Sequence, residues 1–236
     1  MIDIQLEQDE RLDDLQYAGL KLVQNKNQYC FSNDAVLLCN FVKAKHSDII
    51  VDLCSGSGVV GILALAKNNA KQAILVEKQP YLAKMSKKTI DFNNLSDKIE
   101  VLNCDILEAP KFLGAEKYDV VCSNPPYFLP NKNLLSGKKE IDMAKFEIDM
   151  TFDDLCKVAS RLLKFGGKFY FVNDATRLAE LVLTLKKYDF EPKKIEFVFT
   201  KSDIHSKVAL FECAKKGNAG TKVCYKVLGD WLCYIL

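Results

Sequence analysis

From Asp48 onward, short apolar and β-branched runs alternate with segments of helical composition. That alternation leaves few architectures open. Asp48 to Leu53 is a strand-like run ending in a glycine turn, and Val59 to Lys67 has helix composition. Gln72 to Val76, Ile99 to Asn103 and Tyr118 to Ser123 read as further strands. Pro80 to Phe92 has helical spacing, with Pro80 suited to a first turn. Thr151 to Leu163 reads as a helix with Thr151 as N-cap, ended by Gly166-Gly167, and Lys168 to Val172 as the next strand. Thr176 to Lys187 is again helical, and Ile195 to Thr200 and Val208 to Cys213 complete the set of strands. The pattern predicts an α/β chain with a mostly parallel sheet and helices on both faces. In such sheets ligands bind beyond the carboxyl ends of the strands, so the residues there are the first to inspect.

Before this region lies a short preface. Leu20 to Gln24 and Gln28 to Phe31 are expected to pair around Asn25-Lys26-Asn27, and Ser32-Asn33-Asp34 offers cap chemistry for a helix over Ala35 to Val42. Residues 1–45 therefore read as an extension, a short hairpin and helix packed on the core, and 46–236 as the main domain. With 236 residues, 49% of them hydrophobic, the chain has enough material for a sizeable core. No apolar stretch approaches the ~18 residues that span a bilayer, and the acidic N-terminus does not resemble a signal peptide. A cytoplasmic protein with no membrane partner is expected, with a monomer as the default state. The nine cysteines include no C-x-x-C pair, and only His46 and His205 accompany them, so no metal site is expected. Buried, reduced thiols account for their apolar settings. Residues 1–20 hold six acids and one arginine, a charge of −5, which leaves +7 for the rest against a net charge of +2. That mild basic bias is compatible with a nucleic-acid partner and does not require one.

Three strand ends carry groups that suit a nucleoside. The turn Asp52-Leu53-Cys54-Ser55-Gly56-Ser57-Gly58 joins a strand to a helix, where glycines let a ligand approach the backbone. No Gly-Lys-Ser/Thr follows, so it is not a P-loop; begun at Gly56, the run through Gly58 to Gly61 is G-x-G-x-x-G, which keeps a dinucleotide site open. Glu77 follows about 20 residues later, where an acid can hold a ribose hydroxyl pair. Asp105 ends the third strand and can accept from an adenine amino group. Each alone is an ordinary tight turn or solvated acid; the succession carries the reading. After the fourth strand stands Ser123-Asn124-Pro125-Pro126-Tyr127. Its prolines stop the strand and fix the backbone. Asn124 brings a side-chain carbonyl, Pro125 a backbone carbonyl, and Tyr127 a flat face for a planar amino group and its ring. A rigid turn is the simpler reading of Asn-Pro-Pro alone, but its place after the glycine turn and both acids favours function.

These motifs resemble those of class I S-adenosylmethionine-dependent methyltransferases of the amino-methylating branch. Asp52 to Gly58 matches the first motif, Glu77 the ribose acid, Asp105 the adenine-side acid, and Asn124 to Tyr127 the N-P-P-Y motif. Within that class the chain is similar to the bacterial tRNA1(Val) adenine-37 N6-methyltransferases, through Phe31-Ser32-Asn33-Asp34-Ala35-Val36-Leu37-Leu38 and Ala209-Leu210-Phe211-Glu212. The resemblance implies a Rossmann-like fold with a mostly parallel seven-stranded sheet. It implies S-adenosylmethionine as cofactor, held by Ser32, Asp34, Asp52, Cys54, Gly56, Gly58, Glu77, Lys78, Asp105, Ile106 and Asn124. It also implies catalysis by Asn124, Pro125, Pro126 and Tyr127, and methyl transfer to the N6 of an adenine in tRNA. Three places depart from the pattern. Cys54 stands where glycine is usual, Ala144-Lys145-Phe146-Glu147 replaces an Arg-His-Glu-like segment, and Val223 to Leu236 does not align.

N-P-P-Y also occurs in methyltransferases acting on a glutamine amide of a release factor or ribosomal protein. Those usually carry a helical domain before the core, where only about 45 residues stand here. DNA adenine methyltransferases normally add a recognition domain, for which no room is seen. A NAD-dependent oxidoreductase leaves Asn124 to Tyr127 unexplained, and a non-catalytic module on the same fold leaves the motif unused. Phe128 to Met150 reads equally as a substrate loop or a solvated one. Lys193 to Lys226 holds eight lysines against three acids, a candidate phosphate-contact region or simply surface lysines.

Overall fold

The computed structural model describes residues 5–28, 30–127, 142, 144 and 146–229. The chain opens with an antiparallel hairpin of β1 (Glu10–Asp14) and β2 (Lys21–Asn25). The expected pairing of Leu20 to Gln24 with Gln28 to Phe31 is thus corrected: the first of those strands forms, but its partner is the acidic run before it. The cause is neutralisation. Arg11 pairs with Asp13 at 2.8 Å and Lys21 with Asp14 at 2.5 Å, while Lys88 reaches Glu10 at 2.7 Å. Val23 donates its N–H to Thr89 Oγ1 (3.0 Å), and Asn93 bonds both N–H and carbonyl of Lys21. These contacts fasten the hairpin to helix α3 (Pro80–Phe92). Helix α1 (Asn33–Phe41) follows; Ser32 is its extended N-cap residue, but its hydroxyl makes no capping bond.

The seven expected strands all form. They are β3 (Ile49–Leu53), β4 (Gln72–Glu77), β5 (Ile99–Asn103), β6 (Tyr118–Ser123), β7 (Leu163–Asp174), β8 (Phe190–Thr200) and β9 (Val208–Lys215). An eighth, β10 (Lys222–Leu228), lengthens the sheet from the region that does not align with the family pattern. The order is β10-β8-β9-β7-β6-β3-β4-β5, with β9 antiparallel to both of its neighbours and every other pairing parallel. β10 carries Val223, Tyr225 and Val227 in alternation, each more than half exposed, so its pattern is that of an edge strand with one open side.

Helices α1, α2 (Val59–Asn68) and α3 lie on one face; α4 (Ala109–Leu113), α5 (Phe152–Leu162) and α6 (Leu178–Lys187) lie on the other. Strand β7 shows why two cores form: Tyr170 and Val172 join the first cluster, and Phe169 and Phe171 the second. Period-two alternation puts neighbours on opposite faces. Thr151 caps α5 through a full capping box with Asp154. Asp174 caps a short 3-10 turn (Ala175–Arg177) that leads into α6. Among the described residues, no helix is long and apolar enough to cross a membrane.

Register lines up the four central carboxyl ends. Leu53 lies opposite both Val76 and Ser123, and Glu77 opposite Asn103. The strand order turns between β3 and β6, the crevice where open α/β sheets take ligands.

Candidate active site

The glycine turn is held in shape by the two acids beside it. Asp52, fully buried at the end of β3, accepts the Gly61 N–H on Oδ2 at 2.8 Å. Burial pushes its carboxyl up to about 7, with the Gly61 and Cys122 contacts pulling the other way. Glycine is required at 61: a Cβ there would stand 2.3 Å from Leu75 Cδ2 and 3.1 Å from Asp52 Oδ2. Gly58, the residue before α2, has φ 87° and the same tightness, with Leu75 Cδ1 at 2.7 Å from a Cβ. Asp52 and Gly58 therefore set how α2 sits against the sheet.

Gly56 is different. Its φ is 57°, and a Cβ added there would meet nothing within 4 Å, so it borders open space. Its N–H donates to Glu77 Oε2 (2.8 Å), and its carbonyl accepts from Ser86 Oγ (3.1 Å). Glu77 Oε1 accepts the Gln79 N–H at 2.8 Å. Burial pushes the Glu77 carboxyl up to about 7, against those backbone N–H groups. The Ser55 hydroxyl is buried with no hydrogen-bond partner among the described residues, and Ser55 is not on the wall of the cleft in front of the turn.

In front of these residues opens a cleft that encloses about 80 Å³ and widens toward solvent. Cys54, Gly56, Glu77, Lys78, Asp105, Ile106 and Asn124 all stand on its wall, joined by Pro126. One cleft thus brings together residues drawn from four strand ends. Lys78 bridges two acids, Asp105 at 3.0 Å and Asp149 at 3.2 Å, and the bond to Asp105 does most to raise its pKa. Asp105 also accepts the Leu107 N–H on Oδ1 (3.0 Å). Burial raises the Cys54 thiol far above its ordinary value, leaving it neutral beside Met150.

Ser32, Asp34, Asp52, Gly58, Pro125 and Tyr127 are not on that wall. Tyr127 departs most from expectation. Its ring is 8% exposed, its hydroxyl donates to Asp34 Oδ2, and its carbonyl accepts from Arg177 at 3.0 Å. The residue works here as an anchor and not as an open stacking face. Asp34, raised by burial and partly held down by Tyr127, braces the turn from α1. Gln79, Leu82, Ala144, Phe146, Asp149 and Met150 complete the wall, and none of them is among the site residues expected from the sequence. Phe146 and Glu147 drew notice only as a departure from a pattern. Of the loop from Phe128 to Met150, 128–141, 143 and 145 lie outside the described residues. Among the described residues no group of three or more His, Cys, Asp or Glu side chains could hold a metal.

This arrangement suits an adenosine-like group. A buried carboxylate backs the glycine turn, an aliphatic side chain and a further acid flank it, and an amide side chain stands across the cleft. The model of the methyltransferase small domain family matches residues 32–190. A tRNA1(Val) (adenine(37)-N6)-methyltransferase of Aliivibrio salmonicida is 26% identical over 73% of this chain and 73% of its own length. One from Bacteroides thetaiotaomicron is 30% identical over 59% of this chain and 57% of its own. Among solved structures, a predicted O-methyltransferase from Agrobacterium tumefaciens superposes with TM-score 0.64 at 21% identity, covering 82% of this chain and 85% of that one. TYW2 of Pyrococcus horikoshii in complex with MeSAdo gives TM-score 0.63 at 16% identity, over 89% and 73%.

Proposed function

The chain belongs to the methyltransferase small domain family, and from that premise we propose that it transfers a methyl group from S-adenosylmethionine to the exocyclic N6 of an adenine in tRNA. Position 37 of tRNA1(Val) is the target that the names of its relatives suggest. The observation that carries the reading is that Asn124 shares one cleft with Gly56 and Glu77. An amino-group acceptor and a nucleoside cradle then face the same space.

The residues fit the cofactor. Gly56 leaves room that any side chain would fill, and Glu77 keeps acceptor capacity beyond its backbone bonds. Glu77 would take the ribose hydroxyls, and Ile106 and Asp105 would border the adenine. When bound, S-adenosylmethionine supplies an electrophilic methyl group. The protein's own part is alignment. An adenine amino group is a weak nucleophile because its lone pair is delocalised into the ring. A hydrogen bond from it to Asn124 Oδ1 on the cleft wall, joined by the Pro125 carbonyl if the base reaches past that wall, would favour a pyramidal nitrogen and aim its lone pair. The same contacts would stabilise the positive charge that develops on it. No strong base is needed before attack. Unstacking the base costs a few kcal/mol, less in a loop than in a duplex.

Asn124→Ala tests this. Transfer is expected to fall by about 100- to 1000-fold, far more than any accompanying loss of cofactor affinity measured by calorimetry. Near-normal turnover in that variant would refute the mechanism.

A further inference from the structure

The Arg177 guanidinium has all five of its N–H groups engaged, by three separate segments. Nε donates to Glu180 Oε2 at 3.0 Å and Nη2 to Glu180 Oε1. Nη1 and Nη2 reach the two Glu147 oxygens at 2.6 and 3.4 Å. The second N–H of Nη1 donates to the Tyr127 carbonyl at 3.0 Å. Both Arg177 and Glu147 side chains are only 9% exposed, so this pair is sheltered from solvent, whereas Glu180 is 54% exposed and its share is screened. Lysine has three donors on one atom and cannot reproduce the fork. This chain has 33 basic residues, of which only Arg11, Arg161 and Arg177 are arginines. One of the three stands where a planar five-donor group is used in full.

Both anchored segments border the cleft, Asn124 and Pro126 from one and Phe146, Asp149 and Met150 from the other. Tyr127 is the last residue of the N-P-P-Y turn, two residues beyond the prolines' start, and Asn124 begins it. Glu147 follows Phe146 and precedes Asp149 and Met150, all three on the cleft wall. Arg177 itself is not on that wall. The Tyr127 hydroxyl is tied to Asp34 on the other side, so the turn is held from α1 and from the entrance to α6 together.

We propose that Arg177 is a positioning residue for methyl transfer: through the Tyr127 carbonyl and Glu147 it fixes Asn124 and the 146–150 wall relative to each other. It touches neither cofactor nor acceptor. The assignment rests on the methyltransferase reading of the cleft.

Arg177→Ala, Arg177→Lys and Glu147→Gln test it by three measurements. These are kcat and KM for methyl transfer to tRNA, S-adenosylmethionine affinity by calorimetry, and hydrogen–deuterium exchange in peptides spanning 124–127 and 146–150. Arg177→Ala is expected to lower kcat by about 10- to 100-fold, leave cofactor affinity near wild type, and speed exchange in both segments. Added guanidinium ion restores part of kcat. Arg177→Lys falls short of wild type, and Glu147→Gln gives a weaker form of the same loss. A purely structural ion pair would instead lower the melting temperature, leave the kcat of the folded enzyme unchanged and show no response to guanidinium. That result, or unchanged exchange in both segments, overturns the assignment. If Arg177→Ala does not fold, the other two variants decide by the same readouts. If the wild-type enzyme moves no methyl to tRNA, the functional reading fails, and exchange alone decides whether Arg177 holds the segments together.

Discussion

Glu77 is the residue whose environment makes the sharpest prediction. Its carboxyl is pushed up to about 7 by burial, although the backbone N–H groups of Gln79, Gly56 and Lys78 favour the ionised form. Hydroxyl donors from a bound ribose would add to that preference and lower the pKa of the complex. The sign follows: a group with a lower pKa in the complex than in the free protein binds best when already ionised. Affinity for S-adenosylmethionine is therefore expected to weaken as pH falls below about 7, and Glu77→Gln should bind weakly with a flatter profile. Calorimetry between about pH 5.5 and about pH 7.5 checks this, and equal slopes for both proteins would contradict it. Asp52 is raised in the same way, but its bond goes to Gly61 and it lies off the cleft wall, so its contribution is to the shape of the turn.

At the scale of elements, two local devices carry measurable energy. Gly61→Ala puts a methyl group 2.3 Å from Leu75 Cδ2, so either the buried Leu75 side chain or α2 must shift. A loss of about 1–3 kcal/mol in urea unfolding is expected, as for other overpacked sites. Thr151→Ala removes the capping box of α5 and should cost about 1 kcal/mol in the same assay. An unchanged midpoint in either variant would show that the element adapts more freely than its contacts imply.

The strands and helices of the central region were legible because each carries its own period and its own punctuation. Pro80 opens α3 and Thr151 caps α5. Two elements were not. The partner of β2 is an acidic run of low strand propensity, stabilised by lysines on a helix some 70 residues later, which local pattern does not contain. β10 is as apolar as the inner strands but lies at the sheet edge, where Val223, Tyr225 and Val227 stay more than half exposed, and its pairing with β8 is not written in its own pattern. The cleft divides similarly. Gly56, Glu77, Asp105 and Asn124 follow strands and could be found by position, whereas Phe146, Asp149 and Met150 reach the wall from a long connection. The anchoring of Tyr127 depends on Asp34 and Arg177, which are 93 and 50 residues away in sequence.

The whole molecule places the cleft, which on the proposed reading holds a nucleoside and an amino group, at the turning point of one sheet, with helices packed on both faces. Asparagine and proline carbonyls recognise a planar amino group, whether on a base or on an amide, so the carrier of that group decides the biology. The most direct measurement is transfer of labelled methyl from S-adenosylmethionine to total tRNA from a strain lacking this gene, followed by nucleoside analysis. The account predicts label in N6-methyladenosine. Bound cofactor with no label in RNA, and label appearing instead in a protein glutamine, would contradict it.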